Sequence, residues 1–346
     1  MRSGIFNLLI IVSLFTSINC QAQTSTLDTF ISVLEENSIY GKEVNWSKLK
    51  KELMHAEQFA SLDSTTRIIS SIQFIYQKLN DRHGSFFYNG KTYKGQFNDH
   101  FSKADSTILS YALDEKYAIR TTILADRYAY ICIPSPSIPT SVFDNELEAV
   151  KILSAMGKQL QNIYLEVLNE NIEGVIIDFR LSLGGAYPIL ISSLAPVLGD
   201  GIIFQMQGLD ALNTSTVKLT KGNLYEDDRL IAQTDYNGSK IGSKVAILLG
   251  PLTSSAAEQS AIAFKGRKNV KYIGENSAGY LSMTSLFNFS NGNYFTYSSK
   301  LLRANDQKVY KTFLKPDIEV IGGDNFEDLY ADKKVIRALE WFKNSK

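Results

Sequence analysis

The chain has 346 residues, 44% of them hydrophobic and 11% aromatic, enough for two domains, or one large domain with an appendage, around a substantial core. Its 36 basic and 36 acidic residues cancel, which removes the electrostatic basis for nucleic acid or an anionic membrane as partner. No His/Cys/Asp/Glu cluster has metal-ligand spacing, so the sequence points away from a metal enzyme, and no cofactor is indicated.

Met1-Arg2 leads into an apolar stretch from Ile5 to Phe15, followed by small and polar residues. This reads as a secretory signal peptide over residues 1–22, its apolar part too short to span a bilayer. Cleavage after Ala22 would leave Gln23 first and discard Cys20. The competing reading makes Cys20 a lipidated first residue, although Asn19 is bulky where a lipoprotein sequence wants a small residue. Either way the protein is expected to be exported, periplasmic or secreted, with no transmembrane segment after signal removal. Simple cleavage leaves Cys132 alone, which rules out an internal disulfide. Its place in the apolar run Tyr128–Ile133 makes a buried, inert thiol the expectation.

Residues 23–90 read as an N-terminal helical domain. Phe30, Ile31 and Leu34 lie on one face, Trp46 and Leu49 start a second, and Ile68, Ile69, Ile72, Phe74, Ile75 and Leu79 form a third. Asp81-Arg82-His83-Gly84 is expected to end the third helix at its glycine. Residues 91–127 form a connecting segment, polar and with weak strand signals.

From 128 to 346 strands and helices alternate, as in an α/β core with a mostly parallel, covered sheet. Tyr128–Ile133 is a strand, Glu146 to about Leu168 a long amphipathic helix, and Gly174–Arg180 a buried strand broken at Gly184-Gly185. Ala186 to about Val197 is helical despite Pro188. The stretch from Leu209 to Gly242 is polar and turn-rich, an insertion with at most short strands. Val245–Leu249 and Val270–Ile273 are strands flanking a helical segment that runs to Phe264. Phe287, Phe289, Tyr294 and Tyr297 alternate with polar residues as in antiparallel strands, and Val335 to Phe342 closes the chain as an amphipathic helix.

The chemistry concentrates where the strand Val245–Leu249 meets its helix, at Ser254-Ser255-Ala256-Ala257-Glu258. A serine there is ordinarily an N-cap, but its hydroxyl also sits at a sheet's carboxyl end beside unpaired backbone N–H groups. Gly184 and Gly185 follow another buried strand and can present N–H groups without Cβ obstruction. With the Ala256 N–H they could form an oxyanion hole. Of the three histidines, His55 lies in a helical pattern and His100 in a polar segment, both expected to be structural or solvated. His83, at a helix end, would by itself be read as bonding the last helix carbonyls.

Four motifs in order resemble the serine peptidase family that contains C-terminal processing proteases and the tricorn core. Gly174–Gly185 is similar to that family's strand ending in Asp-Leu-Arg-Asn-Gly-Gly, and Ser255-Ala256-Ala257-Glu258 to its nucleophile motif. Gly274-Glu275-Asn276-Ser277-Ala278-Gly279 resembles its Gly-Glu-x-x-x-Gly turn, and Pro316-Asp317-Ile318-Glu319-Val320 its closing strand. The resemblance implies a ClpP/crotonase-like ββα superhelix core with an N-terminal helical domain, and a peptide or protein substrate. It also implies Ser255 as nucleophile and an oxyanion hole from Gly184, Gly185 and Ala256.

The departures select a branch. Members with a Ser-Lys dyad carry a lysine where this chain has Tyr280, and neutral tyrosine is a donor rather than a base. Tricorn-like members, a branch that includes a retinoid-binding relative, instead use a histidine before the core, which His83 matches; a pKa near neutrality suits a general base. Their triad glutamate corresponds to Lys311, within Tyr310-Lys311-Thr312, so Glu275, Asp306 or Asp317 would have to substitute, with Glu275 the named candidate. The interval between His83 and Tyr128 is too short for a peptide-binding PDZ domain. The expectation is a secreted or periplasmic serine peptidase. The alternative is an inactive member that binds peptides or other ligands, and a crotonase-like acyl-CoA enzyme is disfavoured by the signal peptide.

Overall fold

The computed structural model describes residues 26–55, 64–97, 104–143, 145–210, 213–236, 243–289 and 292–344. The signal-peptide reading of residues 1–22, Cys20 included, and His100 lie outside them. Three helices come first, α1 (Thr26–Asn37), α2 (Trp46–His55) and α3 (Ser64–Leu79), then a hairpin of β1 (Ser85–Tyr88) and β2 (Lys91–Tyr93). Next are α4 (Ser106–Ala112), α5 (Glu115–Ala118), β3 (Thr121–Leu124), β4 (Tyr128–Cys132), α6 (Glu146–Leu165) and β5 (Gly174–Asp178). Two short helices, α7 (Tyr187–Ser193) and α8 (Ala195–Leu198), lead into β6 (Gly201–Gln207), β7 (Thr214–Thr220), β8 (Asn223–Glu226) and β9 (Arg229–Ala232). The remainder is β10 (Lys244–Leu249), α9 (Ala256–Ile262), β11 (Val270–Gly274), β12 (Met283–Asn288), β13 (Tyr294–Arg303), β14 (Val309–Tyr310), β15 (Ile318–Glu319) and α10 (Lys333–Asn344).

The strands form two sheets. One has the order β15-β11-β10-β5-β4-β3 and is parallel except for β3 at its edge. Its strands are apolar on both faces, as covered parallel strands must be. Ala129, Ile131, Val175, Ile177, Val245, Ile247 and Leu249 face a core closed by α6, α7 and α9 through Leu153, Leu160, Ile189 and Ile262. The alternate residues Tyr130, Cys132, Ile176, Ala246 and Leu248 face α10 through Val335, Ala338, Leu339 and Phe342. Cys132 is a free thiol, and burial pushes its pKa up.

The second sheet is antiparallel, ordered β2-β1-β13-β6-β7-β8-β9, with β12 and β14 also on β13. The stretch from Leu209 to Gly242, expected to hold at most short strands, carries the four-residue β8 and β9 and a longer, seven-residue β7. Ser215, Val217 and Leu219 point inward from β7 while its other residues carry the polar surface. Helices α1 to α3 pack on this sheet through Phe30, Leu34, Ile72, Ile75, Phe86 and Phe295. Tyr76 Oη donates to the Thr296 carbonyl at 2.8 Å, and Ile39 N–H to the Ser298 carbonyl at 3.0 Å, so the first helices are tied to β13.

Helix α3 ends differently from the sequence expectation. Asn80 takes φ 54°, the left-handed position that stops a helix, and Asp81 N–H donates to Tyr76 O at 3.0 Å. Gly84 is needed for space instead, since a Cβ there would lie 2.2 Å from the Tyr76 ring.

The carboxyl end of β5 is fixed by a buried ion cluster. Arg180 bonds Asp178 at 2.9 Å, Asp332 at 2.8 Å and Asp324 at 2.6 Å, while Lys334 bonds Asp324 at 2.7 Å and Glu275 at 2.8 Å. These contacts clamp residues 322–334 against the strand that leads to Gly184. Among the described residues no helix is long and apolar enough to cross a membrane.

Candidate active site

β10 ends against a turn that aims the two serines in different directions. Thr253 Oγ1 accepts the Gly250 N–H and donates to the Phe179 carbonyl, each at 3.0 Å. Ser254 N–H donates to Ser182 O at 3.1 Å. Ser255 follows at φ 53°, ψ −118°, a conformation that costs an L-residue of order 1–3 kcal/mol and persists only where its surroundings enforce it. The enforcing group is Glu258. Its carboxylate accepts Ser255 N–H at 3.0 Å, Gly279 N–H at 2.8 Å, Tyr280 N–H at 2.7 Å and the Ser277 hydroxyl. Burial raises its pKa to about 7 against those four donors, which favour the anion.

With its backbone so held, Ser255 turns its hydroxyl toward His83. Its Oγ lies 2.9 Å from His83 Nε2. His83 arrives there because Asp81 Oδ1 accepts the N–H of His83 at 3.2 Å and of Gly84 at 2.9 Å, curling the chain after α3. The imidazole Nδ1 lies 2.7 Å from the Ser282 carbonyl oxygen. A carbonyl only accepts, so Nδ1 carries the proton and Nε2 presents its lone pair to the serine hydroxyl. Burial first, and the charge of Lys94 second, lower the His83 pKa to about 4, partly opposed by the Ser282 bond. The ring is therefore neutral at pH 7.

Behind the ring runs a second line of contacts. Ser282 Oγ is 3.4 Å from His83 Nδ1 and 2.7 Å from Ser298 Oγ. Ser298 donates to Asp81 Oδ1 through its hydroxyl at 2.6 Å and to Oδ2 through its N–H at 2.8 Å. The register of β12 on β13 shifts between Met283 and Thr284, directly after Ser282, and bulges of this kind re-aim side chains.

Gly184 adopts φ +117°, and a Cβ added there would sit 3.1 Å from Ser255 Cβ and 3.6 Å from its Oγ. Glycine permits that approach, and that φ, without displacing Ser255. Gly185 faces Pro136 instead, 3.0 Å from the position its Cβ would take. Ala256 opens α9, where a first-turn N–H has no partner within the helix. Tyr280, in place of a lysine base, stacks edge-on to His83 at 5.7 Å, with Lys94 Nζ 5.4 Å from the Tyr280 ring centre.

The expected acid is not where the sequence put it. Glu275 accepts from Lys334, and at 3.3 Å from Gly322 N–H. Asp317 holds Tyr272 N–H at 2.9 Å, Asp306 holds Tyr310 Oη at 2.7 Å, and Lys311 is exposed. Among the described residues no carboxylate touches either ring nitrogen of His83; a backbone carbonyl takes that place. Asp81 belongs to the stretch Asp81-Arg82-His83-Gly84 that the sequence places after the third helix, but nothing in the sequence marks Ser282 or Ser298, whose importance arises only from strand pairing. His55 ends α2, exposed.

Residues 127–320 match the family model of peptidase family S41. The chain belongs to that family. A curated relative, the nisin-resistance protein of Lactococcus lactis subsp. lactis, is 27% identical over 175 residues, which are 50% of this chain and 51% of that protein. The chain thus aligns with about half the length of the curated relative it matches. Two solved structures share the mixed α/β fold. A lipoprotein from Streptococcus agalactiae has a TM-score of 0.61 and 18% identity over 91% of this chain and 94% of its own. Mature CPAF complexed with lactacystin has a TM-score of 0.56 and 10% identity over 92% of this chain and 98% of its own. The mixed α/β architecture expected from the motifs is thus shared with structures of this kind.

Proposed function

We propose that this S41-family chain is an exported serine peptidase working through Ser255 and His83. The observation that carries the reading is the 2.9 Å contact between Ser255 Oγ and an Nε2 whose lone pair is directed at it by the Ser282 carbonyl. His83 Nε2 takes the hydroxyl proton as Oγ bonds to the scissile carbonyl carbon, and the oxyanion that forms is held by the N–H groups of Gly184 and Ala256. The imidazolium then protonates the leaving amine as the C–N bond breaks. Water, deprotonated by the same ring, releases the acyl group and restores the hydroxyl. The substrate is a peptide or protein. Nisin belongs in the first panel, because the Lactococcus relative is named for resistance to it.

The test is fluorophosphonate labelling and peptide turnover by the wild type and Ser255→Ala. Labelling and turnover that vanish in the variant support the reading; a wild type inert to both overturns it. One observation favours the competing reading, a non-catalytic binder: among the described residues no carboxylate bonds the His83 ring. That reading predicts peptide binding unchanged by Ser255→Ala and no labelling of either protein. Export rests on residues 1–22. Amino-terminal sequencing of the mature protein from a fractionated host should begin at Gln23, and a lipidated Cys20 would replace simple cleavage.

A further inference from the structure

We infer that Asp81 is the positioning acid of this site, acting on His83 at a distance through the hydroxyls of Ser298 and Ser282. The inference rests on the Ser255–His83 reading and adds the element that reading lacks, a negative charge connected to the imidazole.

The direction of each bond follows from what the atoms can donate. Three of the four groups on Asp81 are backbone N–H groups, from His83, Gly84 and Ser298, and they reach both carboxylate oxygens. Both oxygens are therefore acceptors, and the Ser298 hydroxyl at 2.6 Å is a donor to Oδ1. Having spent its proton there, Ser298 Oγ accepts from Ser282 Oγ at 2.7 Å. Ser282 Oγ is then left with lone pairs facing the protonated Nδ1 at 3.4 Å, beside the carbonyl that is its nearer acceptor. The polarity runs one way, from imidazole N–H to carboxylate. Each donated hydroxyl proton makes its oxygen a better acceptor. When Nε2 takes the serine proton, Nδ1–H becomes a charged donor, and the chain offers it an oxygen polarised by an anion.

The relay is built in. Asp81 and Ser298 are fully buried, and Ser282 and His83 are each 3% exposed. The charged and titratable groups around it are Tyr40, Tyr76 and Arg82 on the Asp81 side, and Lys94 and Tyr280 on the His83 side. The strand β13 that carries Ser298 also anchors α3 through Tyr76 and Thr296, so the acid, the relay and the histidine share one rigid support.

The test uses the full-length protein with Ser298→Ala, Ser282→Ala, the double variant and Asp81→Asn. Ser282→Ala keeps the backbone carbonyl on Nδ1, and Ser298→Ala keeps three N–H donors on Asp81. Each serine variant should lower kcat about tenfold to a hundredfold, the loss of one charge-linked bond, with KM within about twofold. The double variant should be no worse than the poorer single, because a chain is broken only once. The Nδ1–H proton resonance of His83 should move upfield in both singles. That readout needs no turnover, so it tests the relay even if Ser255 proves unreactive. Multiplicative losses in the double variant, or a Ser298→Ala protein with wild-type kcat and an unmoved resonance, overturn the inference. Should Asp81→Asn fail to fold, the serine pair still decides the matter.

Discussion

Gly184→Ala is the sharpest probe of the oxyanion site. The new Cβ would stand 3.1 Å from Ser255 Cβ and 3.2 Å from the Ser254 carbonyl, on a residue at φ +117°. Carbon contacts that close must open by a few tenths of an ångström. The neighbour that has to give is Ser255, itself held at φ 53° by Glu258. The alanine also resists φ +117°, so the peptide bearing the Gly184 N–H should rotate. Losing one oxyanion donor costs about 2.7–4 kcal/mol in the transition state, or roughly 10²- to 10³-fold in rate. The backbone strain costs stability separately, about 1–3 kcal/mol. Gly90→Ala supplies the comparison: its φ is +76°, with nothing within 4 Å of the added Cβ. The assay is the second-order rate of fluorophosphonate labelling, paired with urea unfolding of both variants. Gly184→Ala should lose both rate and stability, whereas Gly90→Ala should lose stability alone. A Gly184→Ala protein that labels at the wild-type rate would refute an oxyanion site at this glycine.

Protonation of His83 should leave a pH signature, because burial and Lys94 lower its pKa to about 4 from 6.5. Labelling should persist through pH 5 and fall with a midpoint near 4. Between about 6.5 and about 4 the unfolded chain binds a proton that the folded one refuses, so stability present above pH 6.5 drains away as pH falls, by about 3 kcal/mol at most. Urea midpoints across that range should show a slope that His83→Gln flattens. Glu258→Gln puts an amide among four donors, and its NH₂ must face at least one of them. Unfolding should become easier by about 2–3 kcal/mol, and labelling of Ser255 should fall with it. Arg180→Met strands Asp178 and Asp332 without their cation in a buried place. It should cost about 3–5 kcal/mol in urea unfolding, and a loss under 1 kcal/mol would show the cluster to be better hydrated than its burial implies.

What could be read from the sequence depended on how local each signal was. The parallel sheet was legible because Val175-Ile176-Ile177 and Val245–Leu249 are apolar on both faces, a pattern a covered strand requires. Ser255, His83 and Gly184 were picked out by motifs a few residues long, and the structure brings them together. The length of strand β7 was not legible because only Ser215, Val217 and Leu219 face inward, and two of its four outward positions are exposed threonines. The stop of α3 was assigned to Gly84 because glycine is the commoner helix terminator, whereas Asn80 tolerates the same left-handed turn. Glu275 was named for lying in a motif, but its partner is Lys334, 59 positions later in the chain. The contacts of Ser282 and Ser298 depend on the register of β12 against β13, which no single-sequence pattern encodes.

The hydroxyl and the imidazole that meet at 2.9 Å are separated by 172 positions along the chain. Ordering of consequences follows from that distance. A polypeptide emerging from the ribosome has made its histidine long before its serine exists, and neither is armed alone. The pair can form only once both stretches exist and have packed, and the Glu258 that holds Ser255 draws its other donors, Ser277, Gly279 and Tyr280, from residues made later still.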